Sequence, residues 1–229
     1  MFMLHKRFSL LLLLALLAGS RSASAQKDIH RENIEWANFW MENVDRDDRP
    51  HVLFIGNSIT QRYAPIVAET LKDKAYFSRL TTSKSLGDPL YLQEVEMALS
   101  HNRYHVIHFN NGLHGRAYTE DEYIRDFAKL YRLIRKYAPD ATLIWATITP
   151  VRDAGRLDRF EPFNERVAER NRRVLRYLED KGVLVNDLNA ILADRPDLYD
   201  PGDGVHPNSQ GTRMLAEQVT DIIRPLLEQ

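Results

Sequence analysis

Three residue types that can jointly activate a hydroxyl sit near opposite ends of this chain. Ser58 follows Gly56-Asn57 at the end of an apolar run, Val52-Leu53-Phe54-Ile55. Asp203 and His206 lie three residues apart in Asp203-Gly204-Val205-His206-Pro207-Asn208. An imidazole can take a serine proton while a carboxylate holds the ring, which turns the serine oxygen into a nucleophile toward an ester carbonyl. A serine where a strand turns into a helix also has a backbone N–H with no intrahelical acceptor, at the positive end of the helix dipole. It can therefore attack a carbonyl and help hold the resulting oxyanion. Each motif alone has an ordinary explanation. Ser58 is a good N-cap residue type, and the Asp-Gly and His-Pro pairs make a good turn. Their joint occurrence points to hydrolysis. Thr60 stands where a Gly-x-Ser-x-Gly elbow needs its second glycine, which argues against an α/β-hydrolase.

Two further stretches could stabilise an oxyanion. Asn110-Asn111-Gly112-Leu113-His114 follows a second apolar run, Val106-Ile107-His108-Phe109. An amide or imidazole N–H there is a candidate donor, although Asn-Gly is also a favoured turn pair. Gly87, in Ser85-Leu86-Gly87-Asp88, offers a backbone N–H; it also fits the entry to a helix. The chain has no His-Glu-x-x-His and no cysteine, so a metal site is not expected. Arg170, Arg172, Arg173 and Arg176 form a basic helical face of the kind that is usually solvated.

These loops need a scaffold, and the pattern supplies an alternation of strands and helices. Strands are expected at 52–55, at 76–80 (weaker, nearer an edge), at 106–109, at 143–147 and at 183–185. Helices are expected at 59–73, at 89–100 behind Asp88-Pro89, from Thr119 to about Ala138 with a Glu122 capping box, at 161–181 ending before Gly182, and at 208–228. A β-α repeat of this kind implies a five-stranded parallel sheet with helices on both faces, an α/β fold. Ligands bind at the carboxyl ends of such strands, where all three polar loops fall. Trp36, Phe39, Trp40 and Asn43 share a helical face, so residues 26–49 are expected as a helical extension packed on a domain of residues 50–229.

The chain has 229 residues, 44% of them hydrophobic, which suits one domain with a proper core. Its net charge of −1 shows no basic excess for nucleic acid. His5-Lys6-Arg7, the apolar run Leu10–Ala18 and Ala23-Ser24-Ala25 have the order of a secretory signal peptide over residues 1–25, with maturation at Gln26. A periplasmic or secreted protein without stable membrane insertion is expected, held together by packing without disulfides.

The residues resemble the SGNH hydrolases, also called the GDSL esterase/lipase family, from about residue 50 to the end. Leu53 to Thr60 is similar to the family's first block, which reads Gly-Asp-Ser; here Asn57 replaces the aspartate. Gly87 matches the second-block glycine, whose N–H is an oxyanion donor in the family. Asp203-Gly204-Val205-His206-Pro207 resembles the fifth block. The third block is usually Gly-x-Asn-Asp, whereas this chain has Gly112-Leu113-His114-Gly115. The resemblance implies a flavodoxin-like three-layer α/β/α sandwich and a cofactor-free esterase with a Ser58, His206, Asp203 triad. It implies an oxyanion hole of Ser58, Gly87 and a side-chain donor; aligned on the glycine, His114 takes the asparagine's place and is the favoured donor, with Asn110 in support. The expected substrate is a carboxylic ester, with O-acetyl groups on extracellular or periplasmic glycans leading. A lipase or lysophospholipase, and a catalytically silent glycan-binding module on the same fold, are the alternatives. Trp36, Trp40, Tyr118 and Trp145 suit sugar stacking or core packing equally.

Overall fold

A computed structural model describes residues 28–228. The expected signal peptide and its cleavage site lie outside the described residues. In chain order the elements are β1 (Ala37–Trp40), β2 (His51–Gly56), α1 (Ser58–Thr70), β3 (Tyr76–Thr82), α2 (Pro89–Leu99), β4 (Val106–Phe109), α3 (Glu120–Tyr137), β5 (Thr142–Ala146), β6 (Arg152–Asp153), β7 (Arg156–Phe160), α4 (Phe163–Leu178), β8 (Leu184–Asn186), α5 (Leu188–Ala193) and α6 (Ser209–Ile223).

Six strands form the main sheet in the order β1-β3-β2-β4-β5-β8. The five expected strands, β2, β3, β4, β5 and β8, pair in parallel. β2 is buried along its whole length and alternates its side chains between two cores. Leu53 and Ile55 join Tyr91, Val95, Phe127, Leu130 and Val174 beneath α2, α3 and α4. Val52 and Phe54 join Tyr63, Val67, Leu188, Leu215 and Val219 beneath α1, α5 and α6. Burial on both faces explains why these strands are continuous apolar runs without polar alternation.

Helix entries follow the local chemistry. Asp88 caps α2 with Pro89 in its first turn. Thr119 and Glu122 close a reciprocal capping box on α3, whose first turn carries Glu120, Asp121 and Glu122 and whose last turn carries Arg135 and Lys136, as the helix dipole favours.

Residues 28–49 contain no helix. Ala37–Trp40 is a strand, antiparallel to β3, with Phe39 opposite Leu80. A run of four residues is too short for spacing to separate a helix face from a strand face, and the exposed edge of β3 supplies the missing backbone partners. β3 is consequently interior, where an edge position was expected. Residues 152–160 form an antiparallel hairpin of β6 and β7 that the sequence pattern did not signal. Of the aromatic residues that suit sugar stacking or core packing equally, Trp145 and Tyr118 are buried, while Trp40 is exposed and stacks on Arg79.

Candidate active site

Ser58 stands at the first residue of α1, directly beyond the carboxyl end of β2. Asn57 caps this helix: its Oδ1 accepts the Ile59 N–H at 3.1 Å. An asparagine oxygen meets that need as an aspartate oxygen would, so the change in the first block leaves the entry to α1 intact. A Cβ on Gly56 would fall inside the Thr60 side chain, so the last residue of β2 must be small for the turn to close.

His206 arrives from the opposite end of the chain. The Ser58 hydroxyl oxygen lies 2.7 Å from His206 Nε2, across 148 positions of sequence. His206 Nδ1 lies 2.5 Å from Asp203 Oδ2. A carboxylate only accepts, so Nδ1 carries the proton, Nε2 is bare, and the Ser58 hydroxyl donates to it. The other Asp203 oxygen, Oδ1, accepts the N–H groups of Val205 and His206 at 2.8 and 2.9 Å. One carboxylate thereby fixes the loop with one oxygen and the ring with the other. Burial pushes the Asp203 carboxyl up, but hydrogen bonds from the His206 ring and from the His206 and Val205 N–H groups outweigh it and hold the pKa below the usual value. The aspartate therefore stays ionised beside the ring.

Gly204 has φ +66°, and a Cβ there would lie 2.2 Å from the Arg152 carbonyl oxygen. Its own carbonyl accepts the Arg152 N–H at 2.8 Å. The β6–β7 hairpin is thus the back support of the His206 loop. On the other side Arg62, one turn along α1 from Ser58, donates to the Pro207 carbonyl at 3.1 Å.

Asn110 immediately follows β4, and its N–H donates to the Ile55 carbonyl at 2.8 Å, three residues before Ser58. Its Nδ2 donates one proton to the Ala146 carbonyl at 2.6 Å, which fixes the amide and leaves a second proton on the same nitrogen. With Asn57, Thr60 and Thr147 it lines a small cavity beside the α1 entry. His114 lies four residues further out, its Nδ1 2.6 Å from Glu32 Oε1. Gly87 sits in the turn before α2, so close to Tyr118 that a Cβ would lie 2.3 Å from the ring.

Several supports of these loops carry no signal in local sequence. Arg170, expected on a solvated face, is fully buried. It donates to the carbonyls of Gly112, Gly115 and Tyr118 at 2.8, 3.1 and 3.1 Å, bracing the loop beyond β4. Arg172 and Arg173 do lie at the surface, paired with Glu169. Asn111 Nδ2 donates to the Lys84 carbonyl at 2.9 Å, tying the loop after β4 to the loop after β3. Asn171 bonds both the N–H and the carbonyl of Ile148, beyond β5. Among the described residues no group of three or more His, Asp or Glu is placed to hold a metal ion.

A hydroxyl, an imidazole and a carboxylate thus stand in hydrogen-bonding series on the rim of a mostly parallel sheet, an arrangement that can activate the hydroxyl. Residues 54–214 match the model of the GDSL-like Lipase/Acylhydrolase family. No curated protein matches the sequence. Among solved structures, a carbohydrate esterase family 3 protein from Talaromyces cellulolyticus superposes with a TM-score of 0.66 at 16% identity, covering 78% of this chain and 98% of that one. A carbohydrate acetylesterase family member from Sinorhizobium meliloti gives 0.61 at 16%, covering 79% and 100%. A GDSL-like lipase from Bacteroides thetaiotaomicron gives 0.60 at 17%, covering 76% and 88%. At these identities the likeness is one of fold.

Proposed function

The chain belongs to the GDSL-like lipase/acylhydrolase family, a family of carboxylic ester hydrolases, and from that premise we propose that it removes O-acetyl groups from carbohydrate outside the cytoplasm, with Ser58, His206 and Asp203 as its triad. The observation that carries this reading is the 2.7 Å approach of the Ser58 hydroxyl to a histidine whose far nitrogen is held by a carboxylate.

In the reaction, His206 Nε2 takes the Ser58 proton as the oxygen attacks the ester carbonyl carbon. The carbonyl oxygen becomes an oxyanion, held by the backbone N–H groups of Ser58 and Gly87 and by the Asn110 amide. Asn110 is preferred to His114 because its backbone is bonded to β2 beside the nucleophile, whereas the His114 ring is engaged by Glu32. Collapse of the intermediate expels the sugar alkoxide, which receives the proton from His206. Water then repeats the sequence: His206 takes its proton, hydroxide attacks the acyl-serine, and acetate leaves as Ser58 regains a proton. Asp203, kept ionised, stabilises the imidazolium formed in each half.

The acetyl preference is supported by the small size of the cavity beside the α1 entry, about 10 Å³, whose lining mixes Asn57, Thr60, Asn110, Thr147 and Thr149 with Ile59, Tyr63 and Leu188. A long acyl chain needs an apolar trough. The fold likeness includes structures described as carbohydrate esterases, though also one described as a lipase. Secretion rests on the residue pattern of positions 1–25. No helix among the described residues is long and apolar enough to cross a membrane.

The test is the Ser58→Ala variant on p-nitrophenyl acetate and on acetylated polysaccharide. Both activities should vanish while the circular dichroism spectrum is unchanged, and only the parent should react with a fluorophosphonate. Undiminished hydrolysis in the variant rules out the triad. A series of p-nitrophenyl esters tests the acyl preference separately: kcat/KM highest at acetate supports deacetylation, and a maximum at eight carbons or more supports the lipase reading instead.

A further inference from the structure

Residues 28–36 bond to the loops that follow β3 and β4 at the carboxyl ends of the strands. His30 N–H donates to the Tyr118 hydroxyl at 2.8 Å, and the two rings meet edge to face at 5.0 Å. Arg31 reaches both oxygens of Asp88, Nε to Oδ2 at 2.6 Å and Nη2 to Oδ1 at 3.2 Å. Ser83 donates to Glu35 at 2.6 Å and accepts the Trp36 N–H at 2.8 Å. The strap ends in β1, whose pairing with β3 anchors it to the sheet.

These contacts converge on one glycine. Asp88 follows Gly87 directly, and the Asp88 N–H closes a turn on Ser85 at 3.1 Å. The Asp88 side chain is 1% exposed, and its Oδ1 also caps α2 through the Leu90 N–H. Tyr118 covers the face of Gly87 where any other residue would put a Cβ. Gly87 is thus held from behind by Asp88 and from above by Tyr118, and the strap grips both. Burial alone would push the Asp88 carboxyl up. The Arg31 hydrogen bond, the Leu90 N–H and the charges of Arg31 and Lys84 outweigh it and keep the pKa below the usual value. A buried carboxylate stripped of its guanidinium must shift, protonate or admit water, and each response moves the turn that contains Gly87.

We propose that Arg31 is a positioning residue for the esterase reaction: through its two-pronged hold on Asp88 it sets the direction of the Gly87 N–H toward the oxyanion. The inference rests on the reading of Gly87 as an oxyanion donor and makes the segment before β1 a working part of the site. Arg31 itself touches no reacting atom. Its effect is confined to the transition state, because a ground-state ester carbonyl makes weaker demands on the donor's angle than the oxyanion does.

The experiment measures kcat and KM on p-nitrophenyl acetate for Arg31→Ala, Arg31→Lys and Asp88→Asn in the full chain. Displacement of one donor by a fraction of an ångström predicts a fall in kcat of about tenfold to a hundredfold for Arg31→Ala, with KM within about twofold. Arg31→Lys keeps the charge but loses the fork, so its kcat should lie between parent and alanine variant. Guanidinium added at low millimolar concentration should restore part of the activity of Arg31→Ala and none of the others. Asp88→Asn keeps the cap oxygen and the shape while removing the charge pair, and it carries the test if the alanine variant does not fold; its kcat should fall with the fold retained. A kcat within threefold of the parent in a folded Arg31→Ala or Asp88→Asn variant overturns the inference, as does a loss that appears in KM alone. If Ser58→Ala is inactive while these variants keep their kcat, the inference fails and the triad stands; if Ser58→Ala keeps its turnover, the triad itself has failed.

Discussion

Two histidine–carboxylate pairs stand on the same rim and use the same ring atom. His206 Nδ1 meets Asp203 at 2.5 Å, and His114 Nδ1 meets Glu32 at 2.6 Å. The pairs differ in what the other nitrogen reaches. His206 Nε2 faces the Ser58 hydroxyl, whereas the His114 ring makes no further hydrogen bond among the described residues. They differ also in support. Asp203 lies in the same turn as its histidine and spends one oxygen on that turn's backbone, while Glu32 comes from 82 residues away on a half-exposed side chain. A histidine–carboxylate contact is therefore not a catalytic signature in itself. The hydroxyl at a helix entry, placed at the second nitrogen, separates the two.

Replacing each histidine in turn is the most forceful way to break this comparison. His206→Ala removes the only base the triad reading provides. Its kcat on p-nitrophenyl acetate should fall by about 10⁴-fold or more, roughly 5.5 kcal/mol of transition-state stabilisation. Residual activity within about tenfold of the parent would assign the base elsewhere. Asn110→Ala then sharpens the comparison among the oxyanion donors. A fall of about a hundredfold in kcat is expected, in the range for loss of a single donor, with KM little changed.

A third histidine extends the contrast from the rim to the core. His108 sits on β4 with no exposure, against the rings of Phe54 and Tyr63, with Asn186 Nδ2 at 3.3 Å. Burial pulls its pKa from 6.5 down to about 3. The folded protein thus keeps it neutral while the unfolded chain takes up a proton below pH 6.5. This neutral burial costs nothing above pH 6.5, and stability declines as pH falls from there toward 3. Between pH 7.5 and 5 the loss should be about 2 kcal/mol at most, seen as a lower urea midpoint. His108→Gln, which cannot titrate, should flatten that decline; an equal slope in both proteins would show that other groups set the acid sensitivity.

The same division between local and distant contacts explains what the sequence made legible. That Ser58, Asp203 and His206 meet is legible because each lies in a signal a few residues long: an apolar run ending in Gly56, an Asn57 cap, an Asp-Gly turn. The five parallel strands and the five long helices were readable because burial on two faces and capping leave local patterns. The burial of Arg170 is not legible, for the converse reason. Its neighbours Arg172 and Arg173 are at the surface, and nothing within one helical turn tells which arginine turns inward to brace a loop 58 residues earlier in the chain. Arg31 and Asp88, 57 residues apart, pose the same difficulty. The β1 strand leaves no strand signal of its own because its partner, the open edge of β3, is a property of the assembled sheet. The β6–β7 hairpin is nearly all exposed or half-exposed, so it carries no apolar alternation from which a strand could be read.

The smallest effect belongs to the second pair, and it decides whether the comparison holds. Glu32 is 52% exposed on its side chain, so its attraction to His114 is screened by water and salt. Glu32→Gln keeps a hydrogen-bond acceptor at the same reach and removes only the charge. It should leave kcat and KM on p-nitrophenyl acetate within about threefold of the parent, less than about 0.7 kcal/mol, and His114→Ala should do the same. Arg31, the residue before Glu32, should act an order of magnitude more strongly, because its carboxylate partner Asp88 is buried and abuts Gly87, whereas the carboxylate of the second pair, Glu32, is itself half-exposed. If His114→Ala instead lowers kcat tenfold or more while Asn110→Ala does not, the oxyanion donor is the histidine. The Glu32 contact would then be the device that orients a catalytic ring, and the two pairs would be alike in purpose as well as in geometry.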